Sequence, residues 1–251
     1  MESLKVIYKT EMEVYGYDVD FQCQMNVYRL IELLHDAAGV HATKLNCGWK
    51  HLHEEGLFWA LSKFHIVMHR YPKWGEKITI YTWPKQKENL IFLRDYEVYS
   101  QEGELLASAL SEWMIVNYKV NRIMRMDQVQ ILVDFPEQRD ALPYRVAKLP
   151  RVPFPENPTF QRVHISDLDM NHHVNNVNYI RWIIDRFPYS FYQENKLKQL
   201  TINYSFQLKA DQLYTFGETE EVPLNFNTTI YNEEQKEVAK VATVWVPESQ
   251  F

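Results

Sequence analysis

The sequence predicts an α+β fold made of two copies of one unit, and three observations predict it. A short polar turn with an Asp-x-Asp pair, followed by an amphipathic run, occurs twice, at Tyr17-Asp18-Val19-Asp20 and at Ser166-Asp167-Leu168-Asp169. Each copy continues into runs that alternate apolar and polar residues, the period of half-buried antiparallel strands. Between the copies Pro136, Pro143, Pro150, Pro153, Pro155 and Pro158 recur at short intervals, a frequency that prevents both a helix and a central strand.

In chain order, Val6 to Tyr17 reads as a strand that leads into the first polar turn, Tyr17 to Asn26. Leu30, Leu33, Leu34, Ala37, Ala38 and Val40 or His41 then form an apolar stripe, which predicts a helix over about Val27 to Leu45. Gly48 helps end that region, and His51 to Gly56 reads as a loop or short helical turn. Leu57 to Tyr71 is a strand-like run, Pro72 to Glu76 a turn, and Lys77 to Trp83 a strand with Ile78 and Ile80 on one face and Thr79, Tyr81 and Trp83 on the other. Leu90–Ser100 and Leu105–Tyr118 are strands joined by the hairpin turn Gln101-Glu102-Gly103-Glu104. The texture changes from about Asp127 to Pro158, and the proline-rich part reads as a linker that crosses the surface.

The second copy starts with a strand, Phe160 to Ile165, then the second turn and a helix from about Val177 to Phe187. Val177, Ile180, Ile183, Ile184 and Phe187 give that helix its apolar face. Pro188 to Asn195 is a connection. Gln199 to Lys209 alternates, with Ile202, Tyr204, Phe206 and Leu208 on one face and Asn203, Ser205 and Gln207 on the other. Tyr214–Glu221, Phe226–Tyr231 and Val238–Val246 finish the sheet, with a hairpin turn at Asn232 to Lys236. The expected domains are 1–133 and 159–251, joined by a linker at 134–158.

Composition narrows the function. The 251 residues are 46% hydrophobic and 24% charged, an ordinary balance for a globular protein. Two cysteines, Cys23 and Cys47, make no disulfide framework and no zinc spacing, so a reducing, cytoplasmic setting is expected. Met1 to Tyr8 lacks the apolar core of a signal peptide, and no apolar run approaches membrane-spanning length. The net charge of −6 argues against a nucleic-acid binder. Aromatic residues at 14% point to broad sheets or an apolar ligand channel.

The second turn carries the chemistry. Ser166 to Ile180 holds two carboxylates, four asparagines and the adjacent His172 and His173. Asp and Asn before a helix are ordinary turn and capping residues, but one or two suffice to cap a helix. Asn175 or Asn176 can accept a first-turn N–H, and the helix dipole then favours a carbonyl or oxyanion nearby. In an extended turn Asp169, Asn171 and His173 alternate onto one side, with His172 facing away. A base, an amide and an imidazole would converge there, the set that acyl hydrolysis needs. The first turn has no histidine, so the first copy is assigned chamber and scaffold duties.

The run Asp169-Met170-Asn171-His172-His173-Val174-Asn175, an Asp-x-Asn-x-His-Val-Asn pattern, resembles the signature of the acyl-acyl-carrier-protein (acyl-ACP) thioesterases, the plant fatty acyl enzymes and their bacterial relatives. Trp59 to Lys63, Arg70 to Glu76, Thr82-Trp83 and Arg94-Asp95 resemble the same family in the expected order. The resemblance implies a tandem hotdog, each unit a curved antiparallel sheet around a long central helix. It implies hydrolysis of fatty acyl-ACP to free fatty acid and holo-ACP by direct water attack, ending fatty acid synthesis, with no metal or cofactor. Asp169, Asn171 and His173 take its catalytic positions: Asn171 and His173 would hold the thioester carbonyl, and Asp169 would orient them or the water. The family's further carboxylate, three positions after a tyrosine, falls on Gln207 after Tyr204. Glutamine orients a water but takes no proton, so Asp169 or His173 becomes the base, Asp211 substitutes, or the activity is reduced. No cysteine lies in the second half, so an acyl-cysteine route through it is excluded.

Other residues divide by role. Tyr28, Leu34, Trp59 and Phe64 are the expected lining of the acyl channel, whose depth sets chain length at about 0.8 kcal/mol per buried methylene. Arg139, Arg145, Lys148, Arg151, Arg162 and Arg181 are the expected basic contacts for the acidic carrier protein. His35 and His41 on the first helix read as packed or solvent-facing, His65 and His69 as residues of a mouth, and Cys23 and Cys47 as core thiols. The alternatives are an acyl-coenzyme A thioesterase, a non-catalytic acyl- or carrier-binding protein, and a hotdog dehydratase. Two hotdog units in one chain mimic the usual dimer, so a monomer or a further homodimer is expected.

Overall fold

The computed structural model describes residues 6–125, 128 and 139–251, with Lys87 described by its backbone alone; Asp127 and residues 134–138 of the expected linker lie outside these. The chain divides into two compact units, Met1–Val146 and Ala147–Phe251.

The first unit holds β1 (Tyr8–Glu13), α1 (Val27–Lys44), α2 (Trp49–Glu54), β2 (Leu57–Met68), β3 (Lys77–Glu88), β4 (Ile91–Ser100), β5 (Leu105–Asn117) and β6 (Arg122–Ile123). Its strands pair antiparallel in the order β1-β3-β4-β5-β2, with β6 on β5. The apolar stripe of α1, with Leu30, Ile31, Leu34, Ala37 and Ala38 buried, packs the helix onto this sheet. The sheet's other face is also covered. Val67, Leu93 and Leu110 pack against Leu142 and Val146, so the proline-rich segment closes over its own unit.

The second unit holds β7 (Gln161–Arg162), α3 (Asn176–Ile184), α4 (Tyr189–Glu194), β8 (Asn195–Tyr204), β9 (Leu213–Val222), β10 (Asn225–Asn232) and β11 (Glu237–Pro247). Its strands run β8-β11-β10-β9-β7, again antiparallel. Both units therefore have the hotdog plan of a helix against an antiparallel sheet.

Four expectations change. The second helix is not long: α3 ends at Ile184, because Pro188 disfavours helical backbone at Phe187. Phe187 instead packs on Phe191, Phe226 and Trp245, and α4 occupies the expected connection. The strand expected over Gln199–Lys209 starts at Asn195 and stops at Tyr204. Ser205 and Phe206 both donate their N–H groups to Val238 O, and Leu208 is drawn toward the polar turn, so Gln207 lies in irregular chain. Asn203, expected on the polar face of the strand, is buried and clamps the proline-rich segment: it accepts the Leu149 N–H at 2.9 Å and donates to Ala147 O at 3.0 Å. That segment is a strap, not a free tether. Val152 donates to Thr229 Oγ1 at 2.9 Å, and a Cβ on Gly217 would collide with the Pro153 carbonyl, which is why glycine stands there.

Candidate active site

The second polar turn is closed, not extended. Asp169 donates its N–H to His173 O at 2.8 Å, and its Oδ1 accepts the N–H of Asn171 at 2.7 Å and of His173 at 3.4 Å. His172 closes the loop with an N–H to Asp169 O at 3.1 Å and adopts φ of 61°, the left-handed region. Side-chain alternation does not apply in such a turn; the Asp169 carboxylate gathers the backbone around itself instead.

The first turn is built by the same bonds at the same spacing along the chain. Asp20 donates to Gln24 O at 2.8 Å, and its Oδ1 accepts the N–H of Gln22 at 2.8 Å and of Gln24 at 3.1 Å. Cys23 has φ of 59° where His172 has 61°. Asn26 and Asn175 donate their N–H groups to Asp18 O and Asp167 O, each at 2.9 Å. Those two aspartates are buried, and each pairs with an arginine on its helix: Asp18 with Arg29 at 2.7 Å and Asp167 with Arg181 at 2.6 Å. Met25 donates to Pro72 O and Val174 to Leu208 O, both at 2.8 Å. The architecture of the turn is thus shared. What distinguishes the second copy is Asn171-His172-His173 in place of Gln22-Cys23-Gln24.

Asn175 caps α3 by accepting the Val177 N–H at 3.0 Å, as its position predicts. Asn171 is exposed, with its Nδ2 3.4 Å from Asp169 Oδ2. His173 is half-buried. Burial lowers its imidazole below the ordinary histidine range, and the charges of Lys209 and His172 push the same way, against Asp169. Gln207 is exposed and stands next to Leu208, whose N–H donates to Tyr179 Oη at 2.9 Å. Asp211 is also exposed, 3.7 Å from Arg162. Among the described residues no group of three or more His, Cys, Asp or Glu is placed to hold a metal.

Beneath α1, Leu34 and Phe64 are fully buried, and Tyr28 is half-buried. Trp59 is half-buried, donates to Cys47 O at 2.8 Å and meets Phe92 edge-on at 4.9 Å. His35 is packed, one of the two readings the sequence allows, whereas the bonds of Arg94 were missed. His35 lies edge-on to Phe64 and Trp113, its Nε2 is buried without a partner, and burial lowers its pKa to about 4, so it is neutral at pH 7. Arg94 donates to Thr82 Oγ1 at 3.2 Å and to His41 Nδ1 at 3.1 Å, the latter acting as acceptor because guanidinium only donates. The alternation of Phe92, Arg94 and Tyr96 on one strand was the available signal. In the second unit the rings of Phe187, Phe191, Tyr192, Phe226 and Trp245 pack together in one aromatic cluster.

The basic candidates are unequally free. Arg139 pairs with Glu97 at 2.5 Å, Arg145 with Glu88 at 2.5 Å and Glu112 at 3.3 Å, and Arg181 with Asp167. Arg151 donates to Tyr231 Oη at 3.0 Å. Lys148 and Arg162 are exposed. His65 is not at a mouth: it is buried under the strap, 3.2 Å from Tyr144 Oη.

Two family models cover most of the chain. The acyl-ACP thioesterase N-terminal domain matches residues 5–131, and the acyl-ACP thioesterase C-terminal domain matches residues 156–247. The chain belongs to the acyl-ACP thioesterase family. It is 27% identical over 236 residues to oleoyl-acyl carrier protein thioesterase 2, chloroplastic, of Arabidopsis thaliana, an alignment covering 86% of this chain and 64% of the relative. It is 25% identical over 224 residues to the palmitoyl-acyl carrier protein thioesterase, chloroplastic, of the same plant, covering 83% and 54%. The chain thus spans about three fifths of the length of these plant relatives. In fold it is similar to an acyl-ACP thioesterase from Bacteroides thetaiotaomicron, with a TM-score of 0.86 at 23% identity over 98% of this chain and 100% of that one. It is also similar to a 12:0-ACP thioesterase from Umbellularia californica, with a TM-score of 0.82 at 20% identity over 97% and 98%.

Proposed function

We propose that this chain hydrolyses the thioester of a fatty acyl-ACP, releasing free fatty acid and holo-ACP at the end of fatty acid synthesis in a reducing, cytoplasmic compartment. The observation that carries the reading is the difference between two turns held by the same backbone bonds: the second presents Asn171 and His173 where the first presents Gln22 and Gln24. Membership of the acyl-ACP thioesterase family supports thioester hydrolysis as the reaction.

In this reading Asp169 builds the turn and His173 is the base, since the Asp169 carboxylate is already committed to N–H groups and Gln207 accepts no proton. The neutral imidazole takes a proton from water as the water oxygen bonds to the carbonyl carbon. Asn171 donates to the carbonyl oxygen as it gains charge. The tetrahedral intermediate collapses, the carbon–sulfur bond breaks, and the leaving thiolate takes the proton back from the imidazolium. The substrate's acyl chain is assigned to the apolar face of the first unit that carries Tyr28, Leu34, Trp59 and Phe64. Lys148 and Arg162 are the best-presented contacts for an acidic carrier.

Free-thiol release from acyl-ACP and acyl-coenzyme A of equal chain length tests the reading. The expected result is turnover on the carrier protein with a clear preference over coenzyme A, reduced about 100-fold or more by Asn171→Ala. Equal or faster turnover on coenzyme A would replace the carrier in this proposal, and tight acyl binding with no release would replace the activity.

A further inference from the structure

His173 is held through its backbone from two directions. Within the turn, its C=O accepts the Asp169 N–H at 2.8 Å and its own N–H donates to Asp169 Oδ1 at 3.4 Å. Outside the turn, the next residue, Val174, donates its N–H to Leu208 O at 2.8 Å. The Leu208 peptide is fixed in its turn from α3, because its N–H donates to Tyr179 Oη at 2.9 Å. Leu208 and Tyr179 are both buried, and the Tyr179 ring packs edge-on against Trp182 at 5.2 Å and Tyr204 at 6.0 Å. The flanking residues are tied elsewhere: Phe206 donates to Val238 O at 3.0 Å and Lys209 to Gln212 Oε1 at 2.7 Å. Leu208 is therefore the residue that joins this loop to both the turn and the helix.

The first copy meets the same need by other means. Met25, the counterpart of Val174, donates to Pro72 O at 2.8 Å, so Pro72 stands where the second copy has Leu208. Proline has a fixed φ and no N–H to satisfy. Four residues after Asn175 comes Tyr179; four after Asn26 comes Leu30, which is buried and offers no acceptor. The two differences belong together. Leucine in place of proline adds a buried N–H, and a buried donor needs an acceptor. Tyrosine in place of leucine supplies it. The first copy stiffens its anchor with a proline ring, and the copy that carries His173 does so with one hydroxyl.

We propose that Tyr179 is a positioning residue of the hydrolytic site: its hydroxyl seats the Leu208 peptide, whose carbonyl anchors Val174 and so sets where His173 stands. This rests on the reading of His173 as the base. The hydroxyl acts through the chain and not on the substrate. Phenylalanine at 179 keeps the ring and its edge-on contacts and removes only the acceptor.

The test combines Tyr179→Phe, His173→Gln and the double variant, with melting curves, Leu208 amide exchange by NMR, and kcat and KM on acyl-ACP. In Tyr179→Phe the Leu208 amide exchanges faster by about 10-fold or more. Its kcat falls about 10-fold with KM within about twofold of wild type, measured well below the melting temperature. In the His173→Gln background the same substitution causes no further loss of kcat, since the group it positions is gone. A general structural role would lower the residual rate by the same factor in both backgrounds, and that result overturns the proposal. So does a wild-type kcat in Tyr179→Phe, or an unchanged Leu208 amide. A His173→Gln protein that keeps the wild-type rate marks failure of the base assignment instead, whereas an impaired His173→Gln beside an unimpaired Tyr179→Phe marks failure of this proposal alone.

Discussion

The carboxylate of Asp169 accepts two backbone N–H groups, and Asp20 accepts the equivalent two in a turn without histidine. The shared bonds assign both residues to construction. Deleting such a carboxylate removes the turn's own acceptor for two N–H groups, at a cost of about 1 kcal/mol, as for the loss of a helix cap. Asp20→Ala and Asp169→Ala are therefore expected to lower the melting temperature by similar amounts, while only Asp169→Ala also abolishes thiol release. Calorimetry on the two variants checks this; full stability in Asp169→Ala with lost activity would instead make Asp169 a reacting group. What sets the second turn apart was legible in the sequence, since Asn171 and His173 stand where the first copy has Gln22 and Gln24. Their arrangement was not, because an aspartate that bonds its own backbone two and four residues on closes what the sequence suggests is an extended turn.

At the scale of elements, the strap is the feature that covers otherwise exposed sheet. Residues 139–146 close over β4 and β5, and Asp95, with no exposure, accepts the Ala141 N–H at 2.8 Å and lies 3.5 Å from Lys85 Nζ. Burial pushes the Asp95 carboxyl up to about 7, against the bond from Ala141 and the charge of Lys85. Between about pH 4 and pH 7 the unfolded chain loses this proton while the folded chain keeps it, so this group's contribution to stability falls as pH rises through that window. Asp95→Asn is expected to flatten the pH dependence of the melting temperature from pH 4 to 7; the same slope in the variant would show that other groups set it. Proline spacing revealed an irregular segment but could not reveal what it covers, since the buried partners Asn203, Thr229 and Asp95 look like ordinary outward-facing strand residues. The early end of α3 was available from Pro188. The end of β8 was not, because it is set by bonds to Val238, Val174 and Tyr179, far away in the chain.

At the scale of the whole molecule, duplication made the α+β plan and both polar turns readable from sequence. Each turn-helix pair has its buried Asp-Arg pair, and Asn171, His172 and His173 stand where the first copy has Gln22, Cys23 and Gln24. The first copy also supplies an internal control. Gln24 occupies the position of His173 within the same hydrogen-bonded loop, so glutamine is already known to fit there. The most direct measurement is free-thiol release from acyl-ACP by the His173→Gln variant, alongside its melting curve. The expected result is a melting temperature within a degree or two of wild type and a rate lower by about 100-fold or more, since the turn survives and the base is gone. A His173→Gln protein that folds normally and releases thiol at the wild-type rate would contradict the assignment of the chemistry to this turn.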